Sequence, residues 1–177
     1  MLYFSYGSNI SETRLNKRIK NYRTLHQTEL KGYEVKFIKR SKDGSGKATL
    51  VENSNSTVLG MLYDIDSTDF KILDKIEGVE HGYDKVVING YLTYVASETY
   101  INTNLLPYDW YLYLILDGMI SNKFPQDYID KFNLMETIKD NDKIRAFEHY
   151  GQLQNFNMSI NLGNYLGSRI QTYFIIR

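Results

Sequence analysis

The sequence has no cysteine, and it has only two prolines and three histidines among its 177 residues. The absence of cysteine excludes disulfide bonds, thiolate catalysis and cysteine-ligated metal sites. His26, His81 and His149 are far apart, and no two have the spacing that places a pair of ligands on one helix face. We therefore expect no metal site.

Two further absences concern charge and long apolar segments. Lys plus Arg and Asp plus Glu number 21 each, so the formal net charge is zero and there is no excess positive potential to attract a polyanion. The basic segment 14–20 carries Leu15 and Ile19 among its charges, which favours the solvated face of a helix. No basic leader opens the sequence, and no run approaches the roughly 20 apolar residues of a membrane span. We expect a cytoplasmic monomer or homodimer that binds neither nucleic acid nor membrane.

Hydrophobic residues make up 42% of the sequence and are spread over its whole length, without a Pro-, Ser- or Gly-rich linker. This distribution predicts a single domain over residues 1–177. Strand-like segments outnumber helical ones and mostly follow one another. The pattern predicts an α+β fold with a small mixed, antiparallel-rich, barrel-like sheet and flanking helices.

The N-terminal segment 2–6 is apolar and aromatic, and it ends at Gly7-Ser8-Asn9. It predicts a buried strand that runs into a tight loop. Ser11 is then placed to cap a helix whose buried stripe contains Leu15 and Ile19.

The segment 21–65 has the character of strands. We predict two strands within 21–40, divided at Gly32, because apolar and charged residues alternate there. An exposed turn over 41–47 follows, and then come a short strand over 48–51 and a longer one over 57–65.

A helix is predicted from Asp66 or Ser67 to Glu77, with Gly78 as its C-terminal stop. Its apolar residues recur at three-residue spacing and predict a buried face of Phe70, Leu73 and Ile76. The next signal is Asn89-Gly90, which predicts a two-residue turn inside a hairpin over 85–94. The remaining predictions are helices opening at Pro107 and Pro125, a helix over 145–150, a turn-rich segment over 163–167 and a strand over 172–176.

Two features could support chemistry. The loop Gly7-Ser8-Asn9 lies between a strand and a helix start, so its backbone N–H groups could bind an anion, although an ordinary turn has the same pattern. Glu77 ends its helix near Tyr83 and could act as a general base if buried, or lie on the surface. Glu80, three residues on, could in principle form a two-carboxylate pair with it, but its charged loop favours solvent.

Three segments in order resemble the γ-glutamyl cyclotransferase-like superfamily, which also includes AIG2-like proteins. They are Tyr3-Phe4-Ser5-Tyr6-Gly7-Ser8-Asn9-Ile10, Leu73-Asp74-Lys75-Ile76-Glu77-Gly78-Val79, and Tyr111 followed by Gly118, Phe124-Pro125 and Tyr128. The similarity covers about the first 135 residues, and the extension from about 136 matches nothing in the family pattern.

The resemblance implies a cofactor-independent γ-glutamyl cyclotransferase acting on a small γ-glutamyl compound. In such an enzyme the substrate's α-amine attacks its own γ-carbonyl, which releases 5-oxoproline and an amine or amino acid. Glu77 would be the general acid and base, and the substrate-binding residues would be Tyr6, Gly7, Ser8, Asn9, Ile10, Tyr83 and Tyr111. The family pattern places the tyrosine that follows Glu-Gly-Val one position later than Tyr83.

Two alternatives stay open. The same fold could form a non-catalytic module that binds γ-glutamyl ligands. It could also form a hydrolase or acyl transferase in which water or another amine replaces the internal amino group.

Overall fold

The structure, a computed structural model, describes residues 1–153. Its strands are β1 (Leu2–Ser5), β2 (Tyr22–Arg40), β3 (Gly46–Ile65), β4 (Tyr83–Ile88) and β5 (Tyr91–Ala96). Its α-helices are α1 (Glu12–Arg18), α2 (Ser67–Glu77), α3 (Asp109–Ser121), α4 (Gln126–Asn133) and α5 (Lys143–Tyr150), and short 3-10 helices cover Ser8–Ile10 and Glu98–Tyr100.

The strands form one five-stranded sheet in the order β2-β3-β1-β5-β4. Strand β1 pairs antiparallel with β3 and parallel with β5, and the other neighbours are antiparallel. The predicted α+β class with a mixed, antiparallel-rich sheet and flanking helices is confirmed. Within the described residues the sheet is open, with β2 and β4 at its edges, so it does not close into a barrel.

Strands β2 and β3 form one long hairpin, and the predicted division into four shorter strands was wrong. Lys31 pairs with Thr57 and Tyr33 pairs with Glu52, so residues 53–56 bulge opposite Gly32. Gly32 has a φ of +82°, a left-handed conformation that glycine adopts without steric cost. The polar bulge looks like a turn in sequence, but pairing resumes on both sides of it.

Local signals set the ends of the two helices nearest the N-terminal strand. The Ser11 hydroxyl accepts a hydrogen bond from the Arg14 amide and caps α1, and the Asp66 carboxylate accepts one from the Thr68 amide and caps α2. Gly78 ends α2 with a φ of +69°, as the sequence predicted. One expected core residue of α2 was wrong: Ile76 is 44% exposed, because only the face with Phe70 and Leu73 packs on the core.

The hairpin of β4 and β5 turns at Asn89 and Gly90, both with positive φ. These conformations are those of the tight hairpin turn that an Asn-Gly pair favours, and the predicted hairpin is confirmed.

Helix α3 is the central helix and is buried on all sides from Asp109 to Met119. Its closest approach to the N-terminal loop is at Gly118, where an added Cβ would lie 2.5 Å from the Ser11 nitrogen and 2.7 Å from the Ile10 carbonyl carbon. Only glycine allows this approach, so Gly118 fixes the distance between α3 and the segment that follows β1.

The described part of the C-terminal extension packs on α3. The Trp110 indole donates a hydrogen bond to Asp140, and the His149 ring stacks on Trp110 at 3.8 Å between centroids. Helix α5 agrees with the predicted helix over 145–150 and begins two residues earlier. The predicted turn over 163–167 and strand over 172–176 lie outside the described residues. Within residues 1–153, none of the helices has the length and apolar character needed to cross a bilayer.

Candidate active site

A pocket opens where β1 ends and where the C-terminus of α2 approaches it. It contains roughly 310 Å³ of empty space, including its mouth to solvent. The residues that line it are Tyr3, Ser5, Tyr6, Gly7, Ser8, Asn9, Ala48, Glu77, Tyr83, Tyr94 and Tyr111.

The Glu77 carboxylate lies in this pocket and is held through one oxygen. Arg18 Nη1 donates to Glu77 Oε1 at 2.5 Å, and Asn9 Nδ2 donates to the same oxygen at 3.0 Å. Both side chains of the ion pair are largely buried, with 18% of Arg18 and 15% of Glu77 exposed. Among residues 1–153 no hydrogen bond ends on Oε2, so this oxygen is available to a ligand.

Asn9 connects three groups of the pocket. Besides Glu77, its Nδ2 donates to the Tyr3 hydroxyl at 3.0 Å, and its Oδ1 accepts from Arg18 Nη1 at 2.9 Å. The amide is thereby fixed at both ends and is 4% exposed. Its side chain orients the carboxylate and has little capacity left for a substrate.

The Gly7-Ser8-Asn9 loop follows β1 and lines the pocket. Residues 8–10 form the 3-10 helix, in which the Ile10 amide donates to the Gly7 carbonyl and the Ser11 amide to the Ser8 carbonyl. Within the described part of the chain, the amides of Gly7, Ser8 and Asn9 donate no hydrogen bond to other backbone groups. This cluster of N–H groups can bind an anion or a carbonyl oxygen. Ile10, predicted to bind substrate, instead is fully buried in the core and does not line the pocket.

Five tyrosines line the pocket, and three of them, Tyr6, Tyr83 and Tyr111, form hydrogen bonds with backbone groups. The Tyr83 hydroxyl donates to the Ala48 carbonyl at 2.8 Å, and the Ala48 amide donates to the Tyr111 hydroxyl at 3.3 Å. The Tyr6 hydroxyl donates to the Tyr94 carbonyl. The Tyr111 hydroxyl also interacts with the Ser8 side chain. Tyr83 does line the pocket, despite its offset from the family pattern.

Burial raises the pKa of all three tyrosines, and nearby Glu77 raises each of them further. In Tyr111 the hydrogen bond from Ala48 and the charge of Arg14 act in the opposite direction without reversing the shift. The hydroxyls are therefore neutral at physiological pH and serve as hydrogen-bonding groups.

Arg18 of the basic segment 14–20 is largely buried, contrary to the prediction that this segment is simply a solvated face. Arg18 pairs with Glu77, and Arg14 also interacts electrostatically with Glu77. Burial, followed by repulsion from Arg18, lowers the Arg14 pKa to about 10. The helix docks with this side toward α2 and α3, a tertiary contact that the sequence pattern does not reveal.

The segment 41–47 was predicted as an exposed turn, but the side chain of its last residue is largely buried. The Lys47 side chain is only 12% exposed, and it pairs with Asp43 at 2.7 Å. Burial lowers the Lys47 pKa to about 8, although the bond to Asp43 opposes this shift. Its ammonium lies 4.6 Å from the centre of the Tyr111 ring.

Sequence reasoning missed the pocket-lining residues Tyr3, Ser5, Ala48 and Tyr94, and it missed Arg18 as the partner of Glu77. Tyr3 and Ser5 alternate on β1 with core residues, so strand periodicity could have indicated them once Gly7 was placed in the pocket. The Ser5 hydroxyl is buried and has no hydrogen-bond partner among the described residues.

Glu80, the possible second carboxylate, is exposed and does not line the pocket. Within residues 1–153 no group of three or more acidic or histidine side chains could hold a metal ion.

Comparisons with known proteins agree with this fold. The family model of the AIG2-like family matches residues 57–132. The γ-glutamylcyclotransferase of Homo sapiens is 26% identical over 147 residues, which cover 76% of this chain and 78% of that protein. The enzyme of the same name from Mus musculus is 26% identical over 155 residues, covering 81% of this chain and 82% of that protein.

A solved structure of a γ-glutamyl cyclotransferase superposes with a TM-score of 0.70 at 22% identity. The match covers 81% of this chain and 92% of the other. The chain is similar in sequence to these relatives and has the fold of the solved γ-glutamyl cyclotransferase. The family resemblance predicted from the three sequence segments is therefore confirmed.

Proposed function

We propose that the protein is a γ-glutamyl cyclotransferase, which closes the γ-glutamyl group of a small compound to 5-oxoproline and releases an amine or amino acid. The observation that carries the proposal is the Glu77 carboxylate, fixed through Oε1 by Arg18 and Asn9 in a pocket that also contains the free amides of the loop. The names of the human and mouse relatives support the same activity.

Binding uses the neutral donors of the pocket. The γ-carbonyl oxygen of the substrate accepts from the backbone amides of Gly7, Ser8 and Asn9, and the Tyr111 hydroxyl donates a further hydrogen bond. The buried pocket excludes most water, which strengthens these interactions. The substrate's α-amino group then lies toward Glu77 Oε2, the oxygen that accepts no protein hydrogen bond among the described residues.

Glu77 moves the proton. An α-amino group is mostly protonated near neutral pH and cannot attack a carbonyl until it loses a proton. Glu77 accepts that proton, the amine nitrogen forms a bond to the γ-carbon, and the carbonyl electrons move to oxygen. When the tetrahedral intermediate collapses, the original C–N bond breaks and Glu77 returns the proton to the leaving nitrogen. The attacking nitrogen loses its second proton, which leaves the lactam N–H, and the released amine takes up this proton to become an ammonium. Water is neither consumed nor produced.

The loop amides lower the barrier because negative charge develops on the γ-carbonyl oxygen as the ring closes. Donors that already point at this oxygen need no reorganisation during the reaction. Each well-placed donor contributes on the order of 3 kcal/mol in known oxyanion holes.

The experiment is a reaction in ¹⁸O-labelled water with a panel of γ-glutamyl amino acids and γ-glutamyl amines, with products identified by mass. Cyclisation gives 5-oxoproline without the label. Labelled glutamate as the main product would overturn the proposal in favour of a hydrolase. Binding of γ-glutamyl compounds with no product at any protein concentration would overturn it in favour of a non-catalytic module.

A further inference from the structure

Ser5 is the last residue of β1, and its side chain is buried at the pocket. The residue is 1% exposed, and its hydroxyl forms no hydrogen bond among residues 1–153. A buried hydroxyl without a partner has lost its hydrogen bonds to water and gained none in the protein, which is unfavourable. Because Ser5 lines the pocket, a polar atom of a ligand can supply the missing partner.

The hydroxyl of Thr93, on the neighbouring strand β5, provides a contrast. Thr93 is also 1% exposed, but its hydroxyl donates to the Phe4 carbonyl at 2.9 Å. Thr93 does not line the pocket. Its hydroxyl therefore connects two strands, whereas the Ser5 hydroxyl is at the pocket without a partner.

Tyr3 adds a second hydroxyl beside Ser5. The two residues are two positions apart on β1, so their side chains are on the same face of the strand, and both line the pocket. The Tyr3 hydroxyl accepts from Asn9 Nδ2. Burial, followed by the charge of Glu77, raises the pKa of Tyr3, and the nearby Ser5 hydroxyl opposes this shift without reversing it. Tyr3 is therefore protonated, and even if one hydroxyl turns to donate to the other, the two keep one proton for a ligand.

The other hydroxyls of the pocket have partners. Three tyrosines donate their protons to the protein: Tyr6 to the Tyr94 carbonyl, Tyr83 to the Ala48 carbonyl and Tyr94 to the Asp74 carboxylate. The Tyr111 hydroxyl interacts with Ser8 and is assigned to the γ-carbonyl oxygen in the proposed reaction. Tyr3 and Ser5 remain, and we call them the hydroxyl pair.

Asn9 places the hydroxyl pair beside Glu77. Its Nδ2 donates to the Tyr3 hydroxyl and to Glu77 Oε1, at 3.0 Å in each case, so these two acceptors are neighbours across one nitrogen. In a γ-glutamyl compound the α-amine and the α-carboxylate are attached to one carbon, and they need partners that are neighbours as well. With the amine at Glu77 Oε2, the α-carboxylate lies toward the hydroxyl pair.

Neutral donors are sufficient for this carboxylate, because the ammonium on the same carbon balances its charge when the substrate binds. A hydrogen bond from a hydroxyl to a carboxylate is short and about twice as strong as one between neutral groups.

We propose that the hydroxyl pair binds the α-carboxylate of the substrate and that Ser5 is a specificity-determining residue of the pocket. The inference rests on the proposed function for the identity of the ligand. Ser5 lies outside the substrate-binding residues that the family resemblance implies, and the proposal gives its unpaired hydroxyl a function.

The test compares γ-glutamyl-alanine with 4-aminobutanoyl-alanine, which has hydrogen in place of the α-carboxylate and cyclises to 2-pyrrolidinone. Ser5→Ala removes the hydroxyl, and Ser5→Cys replaces it with a thiol, a weak donor. Ser5→Ala should lower kcat/KM for γ-glutamyl-alanine about tenfold or more, the effect of losing one hydrogen bond to a charged group, and leave 4-aminobutanoyl-alanine unchanged. Ser5→Cys should lie between Ser5→Ala and the wild type. Equal losses on both compounds, or no loss on either, would overturn the proposal.

Thr93→Val is the matched control, because it removes a buried hydroxyl that has a protein partner. In urea, Ser5→Ala should unfold at the wild-type midpoint or a higher one, since it removes an unpaired buried hydroxyl. Thr93→Val should unfold at a lower midpoint and keep the wild-type preference between the two substrates. A lowered midpoint in Ser5→Ala, combined with equal kinetic losses on both compounds, would identify Ser5 as a structural residue.

Titrations followed by ligand-observed NMR separate this inference from the proposed function, because they need no turnover. The same two compounds are titrated into Glu77→Gln and into the double variant Glu77→Gln/Ser5→Ala. Weaker binding of γ-glutamyl-alanine alone by the double variant, with no product from the wild type, supports the carboxylate contact and contradicts the cyclotransferase. Formation of 5-oxoproline with Ser5→Ala fully active supports the cyclotransferase and contradicts the carboxylate contact. Absence of both binding and product contradicts both.

Discussion

Asn9 Nδ2 lies 3.0 Å from Glu77 Oε1, and the two residues are 68 positions apart in the chain. The contact joins the loop after β1 to the C-terminal end of α2. The Asn9 side-chain amide also forms hydrogen bonds with Arg18 and Tyr3, so it connects the side chains around the carboxylate. The sequence predicts Asn9 as a substrate ligand, and these contacts lead us to propose that it also positions Glu77.

Asn9→Ala should lower kcat of the proposed reaction about 100-fold with a smaller change in KM. The carboxylate loses one of its two hydrogen bonds, and a small misplacement of a reacting group has effects of this size. Steady-state kinetics of 5-oxoproline release would measure both parameters. Asn55→Ala, in the exposed bulge of β3, is the control and should match the wild type. A kcat unchanged by Asn9→Ala would contradict the positioning role.

Gly7→Ala should fold normally but lose activity. Gly7 has a φ of −110°, and an added Cβ would make only ordinary contacts, at 3.4 Å from Ala48 Cβ and 3.6 Å from the Tyr111 hydroxyl. The methyl group would enter the substrate space beside Tyr111, so we expect kcat/KM to fall about tenfold or more. Urea denaturation should show a change in unfolding free energy below about 1 kcal/mol. Full activity would mean that the substrate does not approach this backbone.

Gly118→Ala should destabilise the protein by about 1–3 kcal/mol, the usual cost of forcing an extra carbon into a packed region. The new Cβ would overlap the backbone of Ile10 and Ser11, which cannot move aside as a flexible side chain can. The control is Gly151→Ala, where the nearest atoms are 3.5 and 3.7 Å away and no loss is expected. Urea denaturation measures both variants. Equal stability of the two would contradict the close contact of α3 with the loop.

The stability of the protein should fall as the pH is lowered from about 6.5 to 4, in part through His149. Burial, and then the charges of Arg14 and Lys47, lower the pKa of His149 from 6.5 to about 4. The unfolded state therefore binds a proton in this range that the folded state does not, and acid favours unfolding. After allowance for solvent screening of this partly exposed ring, the effect is on the order of 2 kcal/mol.

His149→Gln should make the unfolding free energy less dependent on pH between about 6.5 and 4. His81→Gln, on an exposed loop, should leave this pH dependence unchanged. Unfolding free energies from urea titrations at several pH values would measure both. If His149→Gln has the same pH dependence of unfolding free energy as the wild type, the contribution assigned to His149 is contradicted.

Local sequence signals were sufficient to predict those features of the structure that depend on contacts between residues close together in the chain. The caps at Ser11 and Asp66, the stop at Gly78 and the Asn89-Gly90 turn all depend on contacts a few residues apart. Each involves a residue type whose side chain or φ is suited to that position, which is why the sequence predicts them.

Long-range contacts account for what the sequence did not predict. The bulge of residues 53–56 is polar and resembles a turn, and only its pairing across β2 shows that one strand continues. Arg18 has the sequence context of a solvated face, yet it becomes largely buried because Glu77 approaches from α2. The loop and the glutamate were found from the family resemblance, while the hydrogen bonds that connect them depend on the packing of α1, α2 and α3.

The most direct test of the account is the rate of 5-oxoproline formation by Glu77→Gln, measured beside Glu80→Gln with the wild type's preferred γ-glutamyl substrate. Glutamine retains the shape of Glu77 and can still accept from Arg18, but it cannot accept the substrate's proton. We predict a loss of about 100- to 10,000-fold for Glu77→Gln, the range for removal of a general base, and an unchanged rate for Glu80→Gln. A wild-type rate in a folded Glu77→Gln would contradict the account.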